Sequence, residues 1–128
     1  MKKRLQRPTD AELEILNVLW ERGPSTVREV QEVLHKQKET GYTTVLKLMQ
    51  IMAEKGLVER DETERAHRYR ARLAKEQTQQ QLVGDLLDRA FKGSAAQLVM
   101  HALESRKTSA EELKNIRKLL DDFERGKR

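Results

Sequence analysis

The side chains best suited to hold a ligand cluster between residues 42 and 50. Thr43, Lys47 and Gln50 recur at helical spacing, with Tyr42 and Thr44 beside them, so a helix over this segment presents all five on its outward side. Hydroxyls, an ammonium and a carboxamide on one helical face match the donors, acceptors and thymine methyls along the major groove of duplex DNA. Gln50 has the geometry to pair bidentately with adenine. Thr43 and Thr44 fall in the first turn, where free N–H groups and the helix dipole also favour phosphate. A second cluster follows at 65–72, where Arg65, Arg68, Arg70, Arg72 and His67 occur with no acidic residue among them. Laid beside a duplex, such a run would hold phosphates or a minor groove. The same residues admit a second reading, a protein-interaction adaptor whose basic strand matches an acidic partner surface. Binding to random duplex at low salt separates the two.

These positions need a scaffold, and the flanking residues predict one. Thr9 and Glu12 form a T-x-x-E capping box. Leu13, Leu16 and Trp20 then recur at helical spacing, with Ile15 and Leu19 alongside, and Trp20 reads as a core plug. Gly23-Pro24 ends this helix. Thr26 and Glu29 repeat the capping box, and Val27, Val30 and Leu34 line a second helix. In the third helix Val45, Leu48, Met49 and Met52 make an apolar stripe opposite the polar face. Gly56 closes that helix. Leu57-Val58 begins a strand, Asp61 to Glu64 is a polar turn, and Ala66 to Leu73 alternates as a second strand, with Tyr69 on its inward face. Three helices followed by a two-stranded hairpin is the order of a winged helix-turn-helix. Its third helix enters the major groove, and the start of its second helix, here Ser25-Thr26, meets the backbone.

Beyond Leu73 three more amphipathic helices are expected, one from about Ala74 to Phe91, a short one after the S-x-x-Q box at Ser94, and one after Thr108-Ser109. Their apolar residues have no body of their own to pack on, so Leu86, Leu87, Phe91, Leu98, Leu103, Ile116 and Leu120 are expected to bury against a second copy of the chain. The predicted organisation is a mainly α protein with a small β-hairpin: a winged helix-turn-helix domain over 1–73 and a helical dimerisation domain over 74–128.

Composition narrows the function. The 128 residues include no Cys, which excludes thiolate metal sites and cysteine nucleophiles. His35, His67 and His101 lack metal-ligand spacing, so neither a metal nor a cofactor is expected. No nucleophile elbow, P-loop or dinucleotide motif occurs, and no enzyme is expected. No apolar run approaches the 18 residues or so of a membrane span. Met1-Lys2-Lys3-Arg4 is followed by no apolar stretch, so it does not read as a secretory signal. A cytoplasmic location follows as the expectation. The net charge of +5 suits a polyanionic partner. Lys2, Lys3, Arg4, Arg125, Lys127 and Arg128 read as solvated ends.

The chain also resembles the penicillinase-repressor and methicillin-resistance-repressor family of winged-helix regulators. The resemblance rests on T-D-A-E-L-E-I-L-N-V-L-W at 9–20, T-V-R-E-V at 26–30, Y-T-T-V-L-K-L-M-Q-I-M-A-E-K-G-L-V at 42–58 and a tyrosine-bearing strand at Tyr69. It implies a homodimeric repressor whose winged helix binds operator DNA, with Thr43, Thr44 and Lys47 at the family's recognition-helix positions. The residues themselves add Gln50 beside these, Tyr42, Arg65 and Arg68 on phosphates and, for a symmetric pair, an inverted-repeat operator. Two departures stand out. Where antibiotic-responsive members are cut by a protease at an Asn–Phe bond, this chain has His101–Ala102, so induction by that cut is not expected. Copper-responsive members bind metal through paired cysteines, which are missing here.

Overall fold

The computed structural model describes residues 7–126. The basic N-terminal residues Met1 to Arg4, together with Lys127 and Arg128, lie outside the described residues. Arg125, also expected at a solvated end, is exposed. The chain divides into two compact units, 1–83 and 84–128, with the division inside a helix rather than at the 73/74 junction.

The first unit opens with α1 (Asp10–Arg22). Its N-cap is the expected box: the Glu12 N–H donates to Thr9 Oγ1 (3.2 Å) and the Thr9 N–H donates to Glu12 Oε1 (2.9 Å). The second box at Thr26 and Glu29 starts α2 (Val27–His35) in the same way. The helix α3 (Tyr42–Lys55) begins after Gly41, with no side chain capping its first turn. It ends at Gly56, whose φ of +80° lies in the left-handed region that glycine adopts without strain. There the Leu57 N–H reaches back to the Met52 carbonyl at 2.9 Å and turns the chain into the hairpin.

The hairpin is β2 (Val58–Asp61) and β3 (Arg68–Ala71), antiparallel, with Arg60 opposite Tyr69. A third strand joins it. Ser25–Thr26, here β1, pairs with β3 through Ser25 opposite Tyr69 and Thr26 opposite Arg68, giving the sheet order β1-β3-β2. Two residues are too few to show an alternating pattern, so β1 read as helix cap alone. The consequence is mechanical: the hairpin is stitched to the start of α2.

Ile15, Val30, Val45, Met49 and Met52 are fully shielded from solvent and, with Leu16, Leu19, Val58 and Tyr69, form an aliphatic core around one aromatic ring. The α3 stripe is buried as its spacing predicts, with Leu48 half-buried at its edge. Trp20 is half-buried rather than central. Its ring packs on the core edge and its Nε1–H donates to the Leu73 carbonyl at 3.0 Å, fastening the end of the hairpin to α1. Glu12 is a second departure. This carboxylate is only 2% exposed and is held by Lys55 Nζ at 2.8 and 3.0 Å, so the first turn of α1 is bound to the last turn of α3. The first residues of α4 (Lys75–Phe91) belong to this unit, with Thr78 buried.

The second unit holds the rest of α4 with α5 (Ala95–Ser105) and α6 (Ala110–Glu124). Ser94 and Ser109 cap the latter two by accepting from the Gln97 and Glu112 N–H groups. None of its described residues is buried. Leu87, Phe91, Leu98, Leu103 and Ile116 are half-buried, whereas Leu86 and Leu120 are exposed, along with Val99, Met100, Leu119 and Phe123. His101 and Ala102 are exposed in α5, with the His101 ring 5.6 Å from that of Phe91.

Candidate nucleic-acid interface

The outward side of α3 carries Tyr42, Thr43, Thr44, Lys47 and Gln50, all exposed. Burial of Val45, Met49 and Met52 fixes this orientation, since one face of the helix cannot be inside without the opposite face being outside. Because Gly41 is the N-cap, the first-turn N–H groups of α3 meet no capping side chain, and neither threonine hydroxyl is used as a cap. The linker before α3 sets where this end sits. Gln31 Nε2 donates to the Thr40 carbonyl (2.9 Å), and the Thr40 N–H donates to Nδ1 of His35 (3.2 Å).

Beside the start of α3 lies a cleft of about 580 Å³ lined by Thr26, Val27, Arg28, Glu29, Glu32, Tyr42, Leu46, Arg65, Ala66, His67 and Tyr69. The start of α2, the start of α3 and the approach to β3 converge there. Of the residues expected on phosphates, Thr26, Tyr42 and Arg65 line this cleft together. Ser25 does not. Its side chain is fully buried, donating from Oγ to the Gly23 carbonyl at 2.9 Å, because pairing in β1 turns it inward. The expectation of a phosphate contact at Ser25 is corrected on that ground.

The hairpin is less cationic in three dimensions than its 65–72 segment suggests. Arg60 pairs with Glu62, Arg70 pairs with Glu59 across the strands at 2.7 Å, and Arg68 lies 3.4 Å from Glu29 and 3.9 Å from Glu64. Arg65 has no carboxylate within ion-pair distance among the described residues. Glu29 is a hub. Its Oε1 accepts the Thr26 N–H at 2.8 Å, and its two oxygens face Arg68 and Arg22, each at 3.4 Å. The Thr26 N–H bond, with the two cations behind it, outweighs partial burial and holds the Glu29 carboxyl below the usual carboxylate range.

One residue escaped the sequence reading. Arg28, exposed in the first turn of α2, places its guanidinium 4.7 Å from the centre of the Tyr42 ring. The available signal was a cation at a helix start, where the dipole disfavours it.

Comparison with known proteins agrees with this arrangement. The family model described as penicillinase repressor matches residues 8–122. The transcriptional regulator BlaI of Mycobacterium tuberculosis is 34% identical over 125 residues, covering 96% of this chain and 89% of that protein. The methicillin resistance regulatory protein MecI of Staphylococcus aureus is 20% identical over 113 residues, covering 88% and 92%. Two solved structures share the fold of the first unit. One is the solution structure of the DNA-binding domain of the repressor BlaI (TM-score 0.51, 23% identity, 58% of this chain and 90% of that one). The other is the monomeric form of Bacillus licheniformis BlaI in complex with the blaP half-operator (TM-score 0.50, 23% identity, 59% and 92%). The chain therefore belongs to the penicillinase repressor family, whose members are DNA-binding transcriptional repressors and not enzymes.

Proposed function

We propose that this chain represses transcription as a homodimer bound to an inverted-repeat operator, each protomer setting α3 in a major groove. One observation carries the reading: Thr43, Thr44, Lys47 and Gln50 stand exposed on the face of α3 that its core stripe turns outward. Thr43, Thr44 and Lys47 read base edges, with Gln50 behind them, while Thr26, Tyr42 and Arg65 at the cleft rim meet the backbone. Arg68 contributes less, since Glu29 already holds it. Two such helices related by a two-fold axis would address half-sites one or two helical turns apart. The half-operator bound in the Bacillus licheniformis relative supports this mode.

Dimerisation is supported by the second unit, whose described apolar residues are at most half-buried within one chain. The seam is drawn through Leu86, Leu87, Phe91, Leu98, Leu103, Ile116 and Leu120. Repression follows by occlusion of a promoter, which sets the protein in the cytoplasm with the chromosome. No described helix is long and apolar enough to cross a membrane.

The test is Lys47→Ala in a mobility-shift titration on a duplex enriched from a random pool with the wild-type protein. Operator binding should weaken by roughly 1–3 kcal/mol, with specificity relaxed at one base step. An unaltered titration with unaltered base preference would take Lys47, and with it this face, out of the reading surface.

A further inference from the structure

The cleft beside α3 contains a preformed pair that the recognition face does not account for. Arg28 is exposed in the first turn of α2, and its guanidinium lies over the Tyr42 ring, 4.7 Å from the centroid. That is an unfavourable place for a cation. The start of a helix is the positive end of its dipole, and acids rather than bases are stabilised there. Nor does a carboxylate compensate among the described residues. Glu32 stands four residues on, at the spacing of a helical ion pair, and yet is not within ion-pair distance of Arg28. Neighbouring Glu29 is occupied by Thr26, Arg22 and Arg68. The guanidinium therefore rests on an aromatic face, which orients it while leaving its N–H donors unspent.

Arg65 and His67 line the same cleft from the hairpin side, and Thr26 lines it from the start of α2. Glu29 and Glu32 line the cleft as well, but Glu29 is taken up by Thr26, Arg22 and Arg68, so two arginines without a carboxylate partner among the described residues face one remaining acid, and with the helix start the balance favours an anion. An anion there would relieve the conflict between Arg28 and the dipole, since it is attracted to both.

We propose that Arg28 is a contact to an operator backbone phosphate and that Tyr42 is its positioning residue, acting through its ring rather than its hydroxyl. The inference rests on the operator-binding reading. It also reassigns Tyr42, whose hydroxyl would otherwise be the natural donor to the backbone.

Binding is measured by fluorescence anisotropy over a salt series, on the selected duplex and on a duplex of random sequence. Arg28→Ala should weaken binding to both about tenfold and lower the slope of log affinity against log salt by about 0.9. Arg28→Lys should keep the slope and lose part of the affinity, because the charge survives while the stacked, planar donor set does not. Tyr42→Ala should weaken both duplexes by a smaller factor, and Tyr42→Phe should restore the affinity. The double variant Arg28→Ala, Tyr42→Ala should bind no more weakly than Arg28→Ala alone. Thermal melts by circular dichroism certify that each variant is folded. An unchanged salt slope in Arg28→Ala removes the phosphate contact. A Tyr42→Phe variant as weak as Tyr42→Ala makes the phenol oxygen the contact and removes the positioning role. Wild-type protein that binds neither duplex defeats the operator-binding reading itself, and is thereby told apart from failure at Arg28.

Discussion

The two units of this chain differ in how they treat their aliphatic side chains. In the first, Ile15, Val30, Val45, Met49 and Met52 have no exposure at all. In the second, Leu86 is 48% exposed, Leu120 55% and Phe123 62%, and no described residue is buried. Both units are built from capped amphipathic helices. What differs is closure: α1, α2 and α3 cross around a common centre and a sheet covers the remaining side. The helices α5 and α6 carry apolar stripes too, but within one copy these are at most half-covered. The first unit thus closes a core of its own, and the second leaves apolar surface uncovered, which is what the proposed pairing with another copy would bury.

The sharpest way to break this comparison is to charge the second unit. Leu86→Asp, alone or with Leu120→Asp, should yield monomers in sedimentation while the first unit keeps its melting transition. Operator affinity should then fall by about a hundredfold or more, because two linked half-site contacts become two separate ones. A variant that remains dimeric would show that the seam runs elsewhere.

The reciprocal change acts on the first unit. Met49 is fully buried among core residues, and Met49→Ala leaves a cavity that should cost about 2–5 kcal/mol. Chemical denaturation should report that loss, with dimers still present at low denaturant. Loss of the dimer together with the reading head would mean that the two units do not stand on separate stabilities.

Much of the first unit was legible because its signals are local. Thr9 and Glu12, or Thr26 and Glu29, lie three residues apart, and the Val45–Met49–Met52 stripe is a matter of period. The exposed face of α3 follows from that stripe, so the core of the candidate site was readable too. What could not be read is what the same residues do at long range. Glu12 announces a cap, but its second partner is Lys55, 43 positions away. The basic run at 65–72 is visible as composition, yet the pairing of Arg70 depends on strand register at Glu59 and that of Arg68 on Glu29 in α2. Ser25 looked like an exposed helix start because the pairing that buries it needs Tyr69, far along the chain. Arg28 was passed over for the same reason, since its partner Tyr42 lies across the α2–α3 linker.

Glu12 offers a finer probe of the reading head. Burial pushes its carboxyl up, but the Lys55 ammonium and the Thr9 N–H outweigh that and leave it below its ordinary 4.5. A carboxylate with a lowered folded pKa contributes stability that is complete well above the unfolded value and is lost as pH falls through the folded one. Glu12→Gln should cost about 1–3 kcal/mol at neutral pH, since Lys55 loses its charged partner. Below pH 4.5 the gap between variant and wild type should narrow, in denaturation curves taken at stepped pH. A gap that stays constant down to the acid transition would mean that ionisation of Glu12 adds no stability, through Lys55 or through the Thr9 N–H.

The smallest expected effect separates two arginines of the hairpin. Arg65 is exposed and faces no carboxylate within ion-pair distance among the described residues, so a phosphate that it neutralises releases its counterions in full. Arg65→Ala should lower the salt slope of binding by about 0.9. Arg68 is already shared with Glu29 at 3.4 Å and Glu64 at 3.9 Å. An arginine so screened adds little net positive charge at the duplex, and Arg68→Ala should change the slope by well under half as much. It should instead lower the melting temperature slightly, because the exposed pair to Glu29 joins β3 to α2 and such pairs contribute about 0.2–1 kcal/mol. Equal slopes for the two variants would mean that Arg68 leaves Glu29 for the backbone on binding, with the β1–β3 pairing alone left to join the hairpin to the start of α2.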